Sequence, residues 1–564
     1  MTDFHKKSIQ SLLSEKRLAE AFAELRQTAQ TLQNWQLNNR LDELEESYKY
    51  MIRYVADGCN DPQREEIHNG ITAKLMELAD ITEQELTVQN SPKLYYETLR
   101  MERKYPRSLE ALLEAYRECA DKTALFYELP ADKRDSDQER TLLMEKEKAA
   151  NAVFEHIWVT FPVTANEAGT LDKLFADADA TAEIKELAMA ATMLSLLEHY
   201  SEHLLLSLLD LYAANAFNDV LLSMKALCCA LIAMHCHRET IKHSSAISLR
   251  IANIADSERG RRDIMTVFLQ FIRSRSTERI SQKVRDELVP KLMKLSPEMR
   301  RKMRDGFSDD IEEMAKNPDW QEMLNESGIT DKMQELSRMQ AEGSDVFLSS
   351  FARLKSFPFF NDVANWFVPF TPRHSSIFRV FAGNSGSMLL SMVDRTGAFC
   401  DSDKFSFALS VATMPDQHRS MMMAQFDEQQ EQVINEMAGS LPNPDKQREN
   451  IANKYVQSLY RFFNLFRSRN DFYNPFSTRL NLIDVPFVSD ALSDTKSLRL
   501  IAEFYFSMQC YTDALSTFGK VLKQDSPTAS DYQKTGYCHE QLKQYVLATA
   551  DYEKVELLKP NDVW

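Results

Sequence analysis

Five consecutive residues have the types and spacing to hold a metal: His199-Tyr200-Ser201-Glu202-His203. Two histidines four apart on one helix turn both imidazoles to the same side, where they can take zinc while the glutamate handles a water. That chemistry would make a zinc-dependent hydrolase. Two features oppose it. The helix spacing of this region starts a new helix at Ser201, which splits the motif, and no third carboxylate ligand stands out downstream. A second cluster joins Cys228, Cys229, His235, Cys236, His237 and His243. Cys229 and Cys236 are seven residues apart, about 10 Å along a helix, too far for one ion with ligands near 2 Å. Buried thiols on an apolar helix are the expectation. A third feature is basic: residues 259–304 hold fourteen Lys or Arg and five Asp or Glu. Such a segment can dock RNA or an acidic partner, or it can be a face neutralised by acidic neighbours such as 305–326. The chain has no Walker A loop, no G-x-S-x-G elbow and no EF-hand loop, and Gly383-Asn-Ser-Gly386 is only a turn. The expectation is a chain that is not an enzyme, with no catalytic, cofactor-binding or metal residue and no cofactor.

The elements that would position these residues are helices. The 564 residues include only 13 glycines, four of them (Gly58, Gly70, Gly169, Gly260) before residue 300. That is too few for the tight turns of a β-sandwich or for a Gly-rich phosphate loop. Leu, Ala, Glu, Lys, Arg and Met dominate, and these favour helix. A formal charge of −17 argues against nucleic acid as the main partner, since that affinity rests on neutralising phosphates. The eight cysteines are scattered without a C-x-x-C, as expected of reduced thiols in a cytoplasmic protein. Neither a signal peptide nor a span of 18 apolar residues is present in the sequence, so no membrane segment is predicted.

Along the chain, residues 1–165 read as amphipathic helical hairpins, with Leu18, Phe22, Leu25, Ala29 and Leu32 at helical spacing. Residues 166–304 form a second region. Helices are expected to start near Ala182, Asp219 and Ser257, and their second members near Ser201, Thr240 and Thr277, with caps at Thr181, Ser201, Asn218, Asp256 and Thr277. Hairpins at about this interval resemble a HEAT-like array over 182–295. Residues 305–494 are expected to be an irregular helical region. It contains an aromatic block from Phe357 to Phe370, read as a junction between modules or as a binding patch, and a long loop over 371–402.

The last region, 495–564, repeats itself at an interval of 34. Tyr511 recurs as Tyr545, Ala514 as Ala548, Phe518 as Tyr552 and Val521 as Val555. The pattern Leu498, Ile501-Ala502, Tyr505, Ala514, Phe518, Pro527, followed by Tyr532, Thr535-Gly536, His539, Ala548, Tyr552, Pro560, resembles the tetratricopeptide (TPR) repeat over 495–562. The resemblance implies an all-α fold, an α-solenoid of stacked helical hairpins, and a scaffold that binds a peptide or helix of a protein partner. By the same resemblance the groove is lined by Arg499, Glu503, Phe506, Gln533, Tyr537 and Glu540. Val563-Trp564 reads as the opening of a third repeat. The native chain is therefore expected to continue, leaving Tyr545, Ala548, Tyr552, Val555 and Leu558 as an uncovered apolar stripe.

Overall fold

Capping side chains divide the chain into its helices. In the computed structural model, eight of the helices between residues 109 and 274 each begin at a Ser, Thr or Asp whose oxygen accepts a backbone N–H of the first turn. They are α5 (Leu109–Glu128), α6 (Ser136–Val159), α7 (Ala165–Ala176), α8 (Ala182–Glu198), α9 (Glu202–Asn215), α10 (Val220–Cys236), α11 (Ser245–Asp256) and α12 (Glu258–Ser274), capped by Ser108, Asp135, Thr164, Thr181, Ser201, Asp219, Ser244 and Ser257. The structure describes residues 9–288, 343–381, 399–415, 444–524 and 527–560, with 335, 338–340 and 393, apart from 10, 14, 33, 34, 59–61, 63 and 243. The described elements are helical throughout, and among the described residues there is no strand. No described helix is long and apolar enough to cross a membrane.

The chain divides into two compact units, 1–107 and 108–564. The first holds α1 (Leu18–Thr31), α2 (Trp35–Ala56), α3 (Arg64–Asn90) and α4 (Leu94–Lys104). Its core is the stripe Leu18, Phe22, Leu25 and Ala29 of α1, meeting Leu37 and Leu41 of α2 and Ile71, Leu75, Leu78 and Ala79 of α3. The guanidinium of Arg100 closes the α3–α4 turn by donating to the carbonyls of Val88 (2.6 Å) and Ser91 (3.0 Å).

In the second unit the helices starting at Ala182, Val220 and Glu258 keep an even interval, and α10 packs on both α8 and α12. The second members are less regular. The helix expected near Thr240 starts instead at Ser245, because Arg238–Ile241 forms a separate turn and Ser244 then caps α11. The caps expected at Asn218 and Asp256 are Asp219 and Ser257, and Thr277 is the first residue of α13 (Thr277–Lys283), not its cap. Helix α10 is buried from Leu222 to His235, as an apolar-all-round sequence requires.

The element that ties the unit together is α15 (Pro444–Leu465), which packs on α10, on α12 and on α14 (Asp401–Ala412). It reaches each neighbour with a buried polar side chain. Arg448 donates to Asp263 of α12 (2.7 Å), Tyr455 meets Cys229 Sγ of α10 (3.2 Å), and Arg461 lies 2.8 Å from Asp403 of α14. Arg461 also makes a bidentate pair with Asp345 (2.8 and 3.0 Å), and Lys355 Nζ lies 3.0 Å from Asp403 and 4.5 Å over the Phe360 ring. Buried charges of this kind persist only when paired.

The aromatic block is core. Phe359, Phe360, Trp366 and Phe367 are buried. Trp366 packs on Phe462 and Phe466, Phe367 on Phe154 of α6, and Phe359 on Phe405 of α14. Prolines 358 and 369 keep this stretch in short 3-10 turns, Pro358–Asn361 and Ala364–Trp366, instead of a continuous helix. The loop expected over 371–402 is described only in part. Phe378–Phe381 forms a 3-10 turn, and most of 382–398 lies outside the described residues, as does the acidic stretch 305–326.

Candidate functional site

The last four helices are α16 (Thr495–Ser507), α17 (Tyr511–Val521), α18 (Ala529–Gln541) and α19 (Tyr545–Leu558), and they pack consecutively as α16 on α17, α17 on α18 and α18 on α19. The 34-residue period is present in the backbone itself. Gln509 (φ 61°) and Lys543 (φ 60°) adopt the same left-handed conformation at the end of α16 and α18, the position where a helix terminates into a tight turn. Small residues stand where helices cross. Ala502 and Ala514 are fully buried. Gly536 of α18 sits so close to α19 that a Cβ there would be 2.7 Å from the Tyr552 ring.

The six groove candidates lie on the paired helices α16 and α18. Arg499 makes a bidentate contact with Asp531 (2.9 Å from both Nε and Nη2), and Lys534 donates to Glu503 (2.6 Å). These two pairs clamp α16 to α18. Phe506 and Tyr537 pack ring to ring at 5.5 Å, with Tyr511 beside them at 6.2 and 6.0 Å. Gln533 is buried, and the exposed Glu540 accepts the Tyr552 hydroxyl (2.9 Å). Asp531, absent from the groove candidates, is the hub. It forms a reciprocal capping box with Thr528 while gripping Arg499. Burial pushes its carboxyl up, but hydrogen bonds from Arg499 and Thr528 outweigh that and hold it below the ordinary carboxylate range. The Thr528-x-x-Asp531 spacing of a capping box was its available signal.

Alongside α16 the unit carries a cleft of about 940 Å³ between α12, the start of α15 and the start of α16. Its walls mix Arg261, Arg262 and Lys496 with Asp445, Asp490 and Asp494, and the buried Asp263–Arg448 pair borders it. Tyr212 also donates to Asp263 (2.9 Å).

The metal-type motif is taken apart by the turn between α8 and α9. His199 follows α8 and stacks on Phe161 (4.3 Å), while Ser201 caps α9. Glu202 accepts from Ser244, and His203 lies 3.0 Å from Asp172. Each of the three is therefore oriented by a different neighbour. Among the described residues, no group of three or more His, Cys, Asp or Glu could hold a metal ion. In the Cys/His cluster, Cys228 and Cys229 are buried, and burial raises both thiols, Cys229 to about 12. Burial likewise raises the half-buried Cys236 to about 12, against a hydrogen bond with Tyr473 that pulls it down. His237 meets the Leu196 carbonyl, and His243 lies outside the described residues.

Most of the described basic residues of this segment are engaged within the chain. Arg259 and Arg262 reach Asp445 (3.7 and 3.5 Å), Arg273 reaches Glu449 (3.4 Å), Arg275 reaches Asp513 (2.7 Å) and Lys283 reaches Glu335 (2.6 Å). Four of these five contacts go to α15 or α17, far along the chain. The segment thus fastens α12 chiefly to α15, with Arg275 reaching α17.

Compared with known proteins, the chain matches no family model, no curated protein and no solved structure. The repeat assignment rests on the chain's own period and packing.

Proposed function

We propose that this protein is a non-enzymatic scaffold. In this reading the chain is an α-solenoid of stacked helical hairpins, HEAT-like at 182–295 and TPR-like at 495–562. It holds a peptide or helix of a cytoplasmic protein partner along the face formed by α16 and α18. The observation that carries the reading is the repeated backbone. The left-handed residues Gln509 and Lys543 recur 34 positions apart, each between the two helices of a packed hairpin. Packed units in fixed register make an extended surface, and such surfaces serve binding.

The Arg499–Asp531 and Lys534–Glu503 pairs pre-organise that face. A surface whose side chains are already fixed loses less entropy when a partner docks. The half-buried rings of Phe506 and Tyr537 are its anchors, since aromatics carry much of the energy of protein interfaces. Photo-crosslinking in the native host tests the reading. A photoreactive residue at position 537 should give a discrete protein adduct that one at Met144, on the exposed side of α6, does not. Identical adducts from both positions would refute it.

A further inference from the structure

The α16–α18 face has a neighbour on each flank. On one stands α19, where Ala548 and Val555 of the stripe expected to stay open are buried and Tyr552 is half-buried, leaving only Tyr545 and Leu558 exposed. On the other, α16 packs on α12. The helices α12, α16 and α18 run parallel. Arg499 meets Asp531, Glu503 meets Lys534 and Phe506 meets Tyr537, so residue numbers on α16 and α18 rise together. They do so on α12 and α16 as well. The first turns of both line the cleft of about 940 Å³, and further on Phe268 meets Tyr505 (6.2 Å) and Arg273 lies over Phe504 (5.3 Å). Parallel helices set side by side make one continuous face, and α12 is its third member.

The cleft lies between the N-terminal turns of α12 and α16. Met265 and the Asp263–Arg448 pair that line it are buried, while Leu500 of α16 is 46% exposed. Lys496, Leu500 and Glu503 stand three or four residues apart and so form one ridge of α16. Lys496 and Leu500 line the cleft and Glu503 belongs to the groove, so cleft and groove meet across this ridge. Five carboxylates line the cleft (Glu258, Asp263, Asp445, Asp490 and Asp494) against four cations (Arg261, Arg262, Arg448 and Lys496). The three arginines are engaged within the chain: Arg261 by the carbonyls of Ala255 and Asp256, Arg262 by Glu258 and Asp445, Arg448 by Asp263 and the Ala216 carbonyl. Asp494 accepts the Ser497 N–H at the start of α16 (3.0 Å) and meets no cation among the described residues. The exposed side chains of Asp490 and Lys496 have no partner among the described residues. Two carboxylates without a cation thus stand against one free ammonium.

We infer that this cleft is a second subsite of the binding face and takes a lysine or arginine of the same extended partner segment that lies along α16 and α18. Resting on the reading of α16 and α18 as the groove, the subsite adds the chemistry of the partner. Three observations choose that occupant. The face is continuous from α18 across the α16 ridge to α12, so one segment reaches both places. The volume of about 940 Å³ is at the upper end of ligand pockets, which run from about 300 to 1,000 Å³, and so holds a long side chain with its neighbours. Finally, the charges left without a counterion select a cation. The aliphatic stem of a lysine or arginine suits Met265, Leu269 and Leu500, while its head reaches toward Asp490 and Asp494. An acidic segment would meet those carboxylates with the arginines already engaged. The formal charge of −17 draws a basic segment in the same sense.

The test uses the full chain in its native host, with Leu500→benzoylphenylalanine in the cleft and Tyr537→benzoylphenylalanine in the groove. Both should capture one partner. Sequenced by mass spectrometry, the two adducts should fall in a single segment of it, with a Lys or Arg beside the residue caught at position 500. That segment, synthesised with a fluorophore, is then the probe for anisotropy. Replacing its Lys or Arg by Gln should weaken binding at least about fivefold, and so should Asp490→Lys, whose side chain is already in water. In the Asp490→Lys variant the same peptide change should cost less than about twofold further, as for two groups that act on each other. A segment caught at 537 but not at 500 overturns the subsite and leaves the groove standing. No discrete adduct at 537 removes the groove, and the subsite with it. Capture at 500 of a different partner, of a second copy of this chain, or of a segment without Lys or Arg overturns the subsite, as do fully additive effects of the peptide and Asp490 changes.

Discussion

Replacing Gly260 with alanine tests how the α11–α12 turn is built, and the structure gives both sides of the balance. Gly260 is the third residue of α12, and its N–H donates to the Ser257 hydroxyl (2.9 Å). A Cβ there would stand 1.9 Å from the Ile254 carbonyl oxygen, 2.8 Å from its carbon and 2.9 Å from its Cγ2. Ordinary contact begins near 3.4 Å, so the end of α11 would have to move by about 1.5 Å. It is not free to move. Ile254 and Ile251 are buried, and Ser257 itself donates to the Ile254 carbonyl (3.1 Å). Alanine is favoured over glycine inside a helix by about 1 kcal/mol. Overpacking against fixed atoms costs about 1–3 kcal/mol, and a main-chain clash belongs at or beyond the upper end. We expect Gly260→Ala to lose about 2 kcal/mol or more. Gly169, inside α7, has nothing within 4 Å of its would-be Cβ. There the same substitution should gain about 0.5–1 kcal/mol. Urea unfolding with hydrogen exchange followed over residues 245–274 and 165–176 separates the two sites. Shifts of the same sign at both would refute the reasoning.

Further substitutions probe the buried polar groups and the repeat. Burial, against two hydrogen bonds from Ser375, pushes Glu147 up to about 7. Its folded value thus exceeds the unfolded carboxylate value of about 4.3, so the ionised form costs stability. Relative to Glu147→Gln, wild type should lose stability as pH rises from about 4.3 to 7, and a flat difference across that window would contradict this. Burial, then the charge of Lys146, holds the neighbouring His374 down to about 3. Its effect has the opposite sign: stability is lost as pH falls below about 6.5, and His374→Asn should remove that loss in acid-unfolding curves. Arg461→Leu leaves Asp345 and Asp403 with one fewer buried cation, and we expect a loss of about 3–5 kcal/mol; a melting point within a degree of wild type would sink the account. Gln509→Gly relieves a left-handed non-glycine residue and should stabilise by about 0.5–1 kcal/mol, read as a raised urea midpoint.

Local signals carried the helical class and several boundaries, because they depend on neighbours in sequence. Few glycines, helix-forming composition and serine or threonine caps place helix starts at Ala182, Glu202 and Glu258 within a residue of expectation. The 34-residue period was legible for the same reason, as each repeat presents the same side chains at the same turn. Where a cap could be either of two adjacent polar residues, as at Asn218-Asp219 and Asp256-Ser257, residue type offers no means of choosing between them. The Ser245 start was hidden because Arg238–Ile241 carries no cap of its own.

Long-range pairing, by contrast, came from tertiary packing. No spacing rule joins Arg461 to Asp345 and Asp403, Lys225 to Glu186, or Arg275 to Asp513, because the partners lie tens to hundreds of residues apart. The basic segment could be counted from composition, but only its tertiary contacts with α15 and Asp513 of α17 show where its charges go. The zinc-like motif illustrates the same division. Residue types and spacing alone permit His199, Glu202 and His203 to converge, and the turn after α8 then sends each to a different neighbour. Where helices can begin and which side chains recur was readable from the chain alone, since both follow from interactions within a few residues. Which faces those helices bury, and which face of α19 they leave in water, depends on what distant parts of the chain bring alongside, and no local pattern encodes that.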